Sequence, residues 1–223
     1  MKSNQKIAAI IGAATLASVA TFAQPILSTT YATKDVAGCG LVFSETPVVK
    51  SKVEFDSEQN YASFEQTNFA TQGKEREFFY NRAAIGTAYT MPQATIALEA
   101  STVNVGGIGR SNELWAKMTA NLPLKPSIAV SSDVGAISGQ YIGLSASKSA
   151  KLGSLDVAVE GEIGFNDHYS TSISAWSHAR LDVSATKQIT PHISVSGMAR
   201  FQKSLNPAFK DTQMYSLNAA YKF

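Results

Sequence analysis

From about Pro47 onward, apolar and polar residues alternate with a period of two. The alternation comes in segments of roughly ten residues, the nine to eleven that a tilted transmembrane strand needs. The pattern predicts strands over 47–57, 77–90, 94–104, 112–121, 127–135, 139–148, 154–165, 171–186, 192–203 and 212–223. In 154–165, Leu155, Val157, Val159, Ile163 and Phe165 face one way and Asp156, Glu160 and Glu162 the other. In 171–186, Ile173, Ala175, Ala179, Leu181, Val183 and Ala185 oppose His178, Arg180 and Asp182. Segments 94–104, 112–121 and 192–203 repeat the split, with Glu99, Lys117 and Arg200 on their polar faces. A soluble β-sandwich alternates in the same way, so this step leaves sandwich and barrel open.

The aromatic residues separate the two. Once successive segments are given opposite directions, outward Phe55, Phe79, Phe165, Phe201 and Tyr215 fall near one set of strand ends. Tyr89, Tyr221 and Phe223 fall near the other. Two aromatic bands with aliphatic residues between them match the two interfaces of a bilayer, whereas a sandwich core places its large aromatics mid-strand. Trp115 and Trp176 land on the polar face and are expected inside the barrel. Met91–Gln93, Asn121–Pro126, Ala150–Gly153 and Lys187–Pro191 carry Pro or Gly and read as turns at one end. Residues 58–76 form the one long loop expected at the other end, polar but holding Tyr61 and Phe64.

The two ends of the chain sharpen the picture. The chain stops on a strand whose Tyr215, Leu217, Ala219, Tyr221 and Phe223 share one face. This resembles the C-terminal strand of Gram-negative outer-membrane β-barrels, and the resemblance implies that Tyr221 and Phe223 belong to the signal read by the barrel-assembly machinery. Lys2 and Lys6 precede an uncharged run, Ile7 to Ala23, which reads as a secretory signal peptide cleaved after Ala23, Ala20 or Ala32. The expected organisation is a signal peptide over 1–23, a periplasmic N-terminal segment over 24–46 and the barrel over 47–223. The fold class is all-β: a single antiparallel transmembrane barrel of about ten strands, with eight or twelve compatible because 58–76 could hide a hairpin. The resemblance places it in the outer membrane, in contact with its lipid.

Without residues 1–23, which hold two lysines and no acid, 17 basic and 17 acidic residues remain. Neutrality argues against a nucleic-acid partner and against a strongly ion-selective field. Cys39 is the only cysteine, so no disulfide forms within the chain. Val36-Ala37-Gly38-Cys39 has the shape of a lipoprotein processing site, but it lies beyond the apolar run and beside Lys34 and Asp35, which argues against lipidation. The chemistry of such a barrel lies on its inward face. Arg82, Glu99, Lys117, Asp156, Glu160, Glu162, Arg180, Asp182 and Arg200 are expected to line the lumen. Small inward residues such as Ser145, Ala158, Ser184 and Ser196 leave room for water among them. Two functions fit: a narrow porin-like channel for passive diffusion of small solutes, or a non-conducting structural or surface-binding barrel.

No enzymatic arrangement or cofactor site emerges. Asp167 and His168 are sequence neighbours whose side chains diverge in an extended strand. Gly106-Gly107-Ile108-Gly109-Arg110 lacks the Lys-Ser/Thr of a phosphate loop. His168, His178 and His192 show no metal-ligand spacing.

Overall fold

The computed structural model describes residues 24–57, 59–69, 80–105, 109–135, 138–169 and 171–223. The expected signal peptide and Phe79 lie outside them. The described chain is strand throughout: β1 Gln24–Ala32, β2 Asp35–Val36, β3 Val42–Ser44, β4 Val48–Asp56, β5 Asn60–Phe69, β6 Tyr80–Thr90, β7 Ala94–Val105, β8 Gly109–Ala120, β9 Ser127–Val134, β10 Ser138–Leu152, β11 Leu155–Asp167, β12 Ser174–Gln188, β13 Ile193–Ser204 and β14 Thr212–Lys222. Twelve of these, β1 and β4 to β14, pair antiparallel with their neighbours, and β1 closes the circle by pairing with both β14 and β4. Closure leaves no edge, so every strand's backbone groups can be satisfied within the wall.

The count is therefore twelve rather than about ten. One unanticipated strand, β1, lies in the stretch assigned to a separate N-terminal segment. The other, β5, lies in the stretch taken for a long loop. Gln66 and Asn68 point outward on β5 and bond each other at 3.2 Å, so this strand lacks the apolar stripe that marks the rest. Two corrections follow. The ends of β4 and β5 are drawn together where Ser57 N–H and Oγ–H donate to Asn60 O at 2.8 Å. Strand β4 also runs opposite to the expected direction, so Phe55 sits at the end of the barrel that holds the chain termini. We call this the terminal end and the opposite one the loop end.

The outward face carries the apolar residues. Leu98, Leu114, Val130, Leu144, Val159, Leu181 and Leu217 are all exposed there. At the terminal end the band closes with Phe55, Tyr89, Tyr221 and Phe223, the last two packed edge to face at 4.9 Å. At the loop end Tyr31, Phe165, Trp176, Phe201 and Tyr215 form the second belt. Trp176 thus faces outward, against expectation. Phe165 pairs with Trp176 while Gly164 pairs with His178, so Ser177 is an extra residue in the ladder. This β-bulge inverts the phase of β12 on its loop-end side. Trp176 then meets Phe165 edge to face at 5.5 Å.

Eight strands enclose an interior that side chains alone can fill, whereas open aqueous channels are typical of sixteen or more. Twelve strands fall between, and here the chain fills the surplus itself. Residues 33–47, between β1 and β4, turn back into the lumen from the loop end as the small β2–β3 hairpin. Val36 of this insert packs with Ala32, Val48 and Met214 in a buried cluster.

Candidate functional site

The insert is held by the wall through its own backbone. Arg200 Nη1 donates to Val36 O at 3.3 Å, Arg180 Nη1 to Gly38 O at 3.2 Å, and Gln202 Nε2 to Gly40 O at 2.8 Å. Three alternate carbonyls are thus gripped by three side chains from β12 and β13. Lys50 Nζ pairs with Asp35 at 2.6 Å from the other side. At the base of the insert, Glu45 takes Lys34 at 2.8 Å and Lys210 at 3.3 Å, and these cations hold its carboxyl below the usual carboxylate range. At the tip, Gly40 has φ +88, and a Cβ there would lie 2.3 Å from His178 Nδ1. Only glycine permits that approach. Cys39 is buried beside Tyr141 and Tyr169, and burial pushes its thiol up to about 11. It therefore stays protonated and packs as a small apolar group.

Beneath the insert is a cavity of about 470 Å³. Its wall includes Arg82, Glu99, Lys117, Glu160, Glu162, Arg180 and Arg200, seven of the nine residues expected in the lumen. Asp182 stands just behind, taking a bidentate pair from Arg200 at 2.8 Å and a contact from Arg180 at 3.3 Å. Asp156 lies apart at the terminal rim, largely exposed and 3.9 Å from Lys151. Arg180 also reaches Glu162 at 2.9 Å, and Arg82 pairs with Glu99. Lys117 on β8 reaches Glu160 on β11 at 3.9 Å, two strands removed from its own neighbour β9. Tyrosines complete the network: Tyr61 donates to Glu99, Tyr169 to Glu113, and Tyr141 to Glu162 at 2.7 Å. Toward the terminal end the inward positions are small or polar, among them Ser28, Thr30, Ser147, Ala158, Ser184 and Ser196. All are partly exposed within the barrel, so water reaches them.

Sequence reasoning missed the insert altogether, along with Asp35, Tyr141, Tyr169 and Glu65 as interior groups. The signal available for the insert was local: residues 33–47 carry Gly38 and Gly40 and no alternating pattern. Its inward path has no sequence signature. Trp115 does face the cavity, as expected.

The Asp167–His168 pair also differs from expectation. His168 adopts φ 57, which swings its ring back so that Nδ1 lies 2.8 Å from Asp167 Oδ1. Ser174 Oγ reaches the same Nδ1 at 3.1 Å and also donates to Asp167. Both partners meet one ring nitrogen, so the imidazole cannot relay a proton from one to the other through its two nitrogens. No group of three or more potential metal ligands occurs among the described residues.

No family model and no curated protein matches the chain. Solved structures do. The KdgM porin superposes with a TM-score of 0.62 at 10% identity, over 89% of this chain and 99% of that one. The NanC porin gives 0.56 at 11% identity, over 90% and 99%. The outer membrane protein Omp33 of Acinetobacter baumannii gives 0.52 at 13% identity, over 90% and 98%. The chain has the fold of outer-membrane β-barrels, porins among them, over nearly its whole described length. Likeness at this level of identity establishes architecture and leaves the chemistry to the residues.

Proposed function

We propose that this protein is a narrow channel of the outer membrane, passing small hydrophilic solutes by passive diffusion, with the inserted segment 33–47 as its constriction. One observation carries the reading: the interior holds a charged cavity of about 470 Å³ above small, water-reachable residues, where a purely structural barrel would fill that space. Cations and carboxylates are interspersed around the wall, which suits small polar solutes. The leader over 1–23 supplies export. The outward Tyr221 and Phe223, with Phe223 N–H bonded to Pro25 O at 3.2 Å, combine barrel closure with the proposed assembly signal.

A second reading draws on the insert's attachments. A segment tied by Arg180, Arg200, Gln202, Lys50 and Glu45 suits a closed, non-conducting barrel whose exposed loops bind a partner. Planar-bilayer recording separates the two. The channel reading expects small, stable conductance steps with weak ion selectivity, and a silent bilayer from correctly folded protein ends it.

A further inference from the structure

Charge bookkeeping around the cavity leaves a remainder. Among the described residues, Lys50 pairs with Asp35, Arg82 with Glu99, Lys117 with Glu160, Arg180 with Glu162 and Arg200 with Asp182. Each wall cation thus has its own carboxylate. Two further carboxylates line the same cavity, Glu65 and Glu113, and no described Lys, Arg or His nitrogen lies within ion-pair distance of either. The cross-strand partners of Glu65 are Lys52 and Arg82, which give their charges to Glu54 and Glu99 instead. Among the described residues, Glu113 accepts hydrogen bonds only from the neutral hydroxyls of Tyr169 and Ser101.

The surroundings of these two carboxylates are aromatic. Tyr80 and Trp115 line the cavity, as does Tyr169, and Tyr80 lies 6.1 Å from the ring of Phe43 on the insert. Ser131, cross-strand from Trp115 and 2% exposed, faces the cavity beside Tyr169 with no hydrogen bond of normal geometry to its Oγ. Arg82 acts electrostatically on both Glu65 and Glu113, but it is already paired with Glu99, so three carboxylates share this one cation. Carboxylates in a partly enclosed site are costly when under-compensated. Aromatic faces attract a desolvated cation and shelter apolar groups attached to it. A cavity of this size lies within the range of small-molecule sites, roughly 300–1,000 Å³. A bare metal ion fits poorly, because the described residues offer no three-ligand cluster.

We propose that Glu65 and Glu113, framed by Tyr80, Trp115 and Tyr169, form a binding site for a small organic cation, an ammonium or guanidinium group on a compact apolar frame. As a solute site it rests on the channel reading and names the class of solute; as a binding site it is measurable without conduction.

The test uses the full-length barrel folded in detergent, carrying Trp176→Phe so that Trp115 is the one remaining tryptophan of the two. Tetramethylammonium and arginine ethyl ester are titrated, with sodium chloride at matched ionic strength and sodium propionate as controls. The site requires a saturable change in Trp115 fluorescence with the organic cations alone. It also requires affinity to fall roughly tenfold or more in Glu65→Gln with Glu113→Gln. Glu65→Gln by itself removes no bond seen in the structure, so it folds even where the double variant does not, and it too must weaken binding. No saturation, an equal response to sodium chloride, or unchanged affinity in folded Glu65→Gln overturns the site. A conducting barrel without cation binding overturns the site and leaves the channel. A silent barrel that binds overturns the channel and leaves the site.

Discussion

At the scale of single residues, the direction in which a side chain points decides what it can do. Val157 and Ala158 are adjacent, yet Val157 pairs with Ala150 and Ala185 on the lipid face while Ala158 faces the water-reachable interior. Val159→Arg, on the same face as Val157, or Val183→Arg, its cross-strand partner on β12, buries a charge at mid-span. Either should cost roughly 2–4 kcal/mol, measured by urea unfolding from lipid vesicles. Ala158→Arg should cost clearly less, because the interior hydrates it; the reverse order would put the facing assignment out of register by one. Alternation made this orientation legible in the sequence. It failed at Trp176 because one inserted residue, Ser177, inverts the phase, and a bulge leaves no mark on a pattern of apolar and polar letters.

The inserted segment is the element on which behaviour turns. Replacing residues 35–44 by a short Gly/Ser linker removes the contacts to Arg180, Arg200, Gln202 and Lys50. Single-channel conductance should rise several-fold while the barrel keeps its heat-modifiable migration; an unchanged conductance would place the constriction elsewhere. Its anchorage is also predicted to depend on pH. The carboxyl of Glu45 is held below its usual range by Lys34 first and Lys210 second. A depressed carboxyl contributes fully above the usual carboxylate value and loses its contribution as pH falls through the depressed one. Limited proteolysis of the insert should therefore accelerate on acidification below about pH 4. Glu45→Gln at neutral pH should be cleaved as the acidified protein is. A variant as resistant as the parent would show that the backbone grips alone suffice.

On the scale of the whole molecule, the interior charges and the closing strand act together. Changing Arg180 and Arg200 to Ala frees Glu162 and Asp182 within the lumen. Reversal potentials across a salt gradient should then shift toward cation selectivity; a shift toward anions would mean that these carboxylates do not face the conducting path. Phe223 helps to close the barrel, bonding to Pro25 on β1 and packing on Tyr221 toward the lipid. Phe223→Asp should leave unassembled chains exposed to periplasmic proteases, read as a fall in folded yield. A normal yield would count against the assembly signal.

Ten of the twelve wall strands were legible in the sequence, because a wall with lipid on one side and water on the other imposes a period of two on every residue in it. Strand β5 escaped because Gln66 and Asn68 take outward positions and blur that period. Strand β1 does alternate, with Leu27, Thr29 and Tyr31 outward and Ser28 and Thr30 inward, but its outward face is only partly apolar and it directly follows the run that reads as a signal peptide. The charged residues of the lumen were also readable one by one, since each sits at an inward position of its strand. Which of them meet was not. Lys117 finds Glu160 across strands that are distant in sequence, and Arg180 and Arg200 find backbone carbonyls more than a hundred residues away, whose acceptors are the same for every side chain. That Glu65 and Glu113 stand beside an aromatic wall with no ion pair among the described residues emerges only after those pairings are made. Local alternation determines what faces lipid and what faces water, whereas closure of the barrel and the inward path of residues 33–47 decide which inward groups share a site.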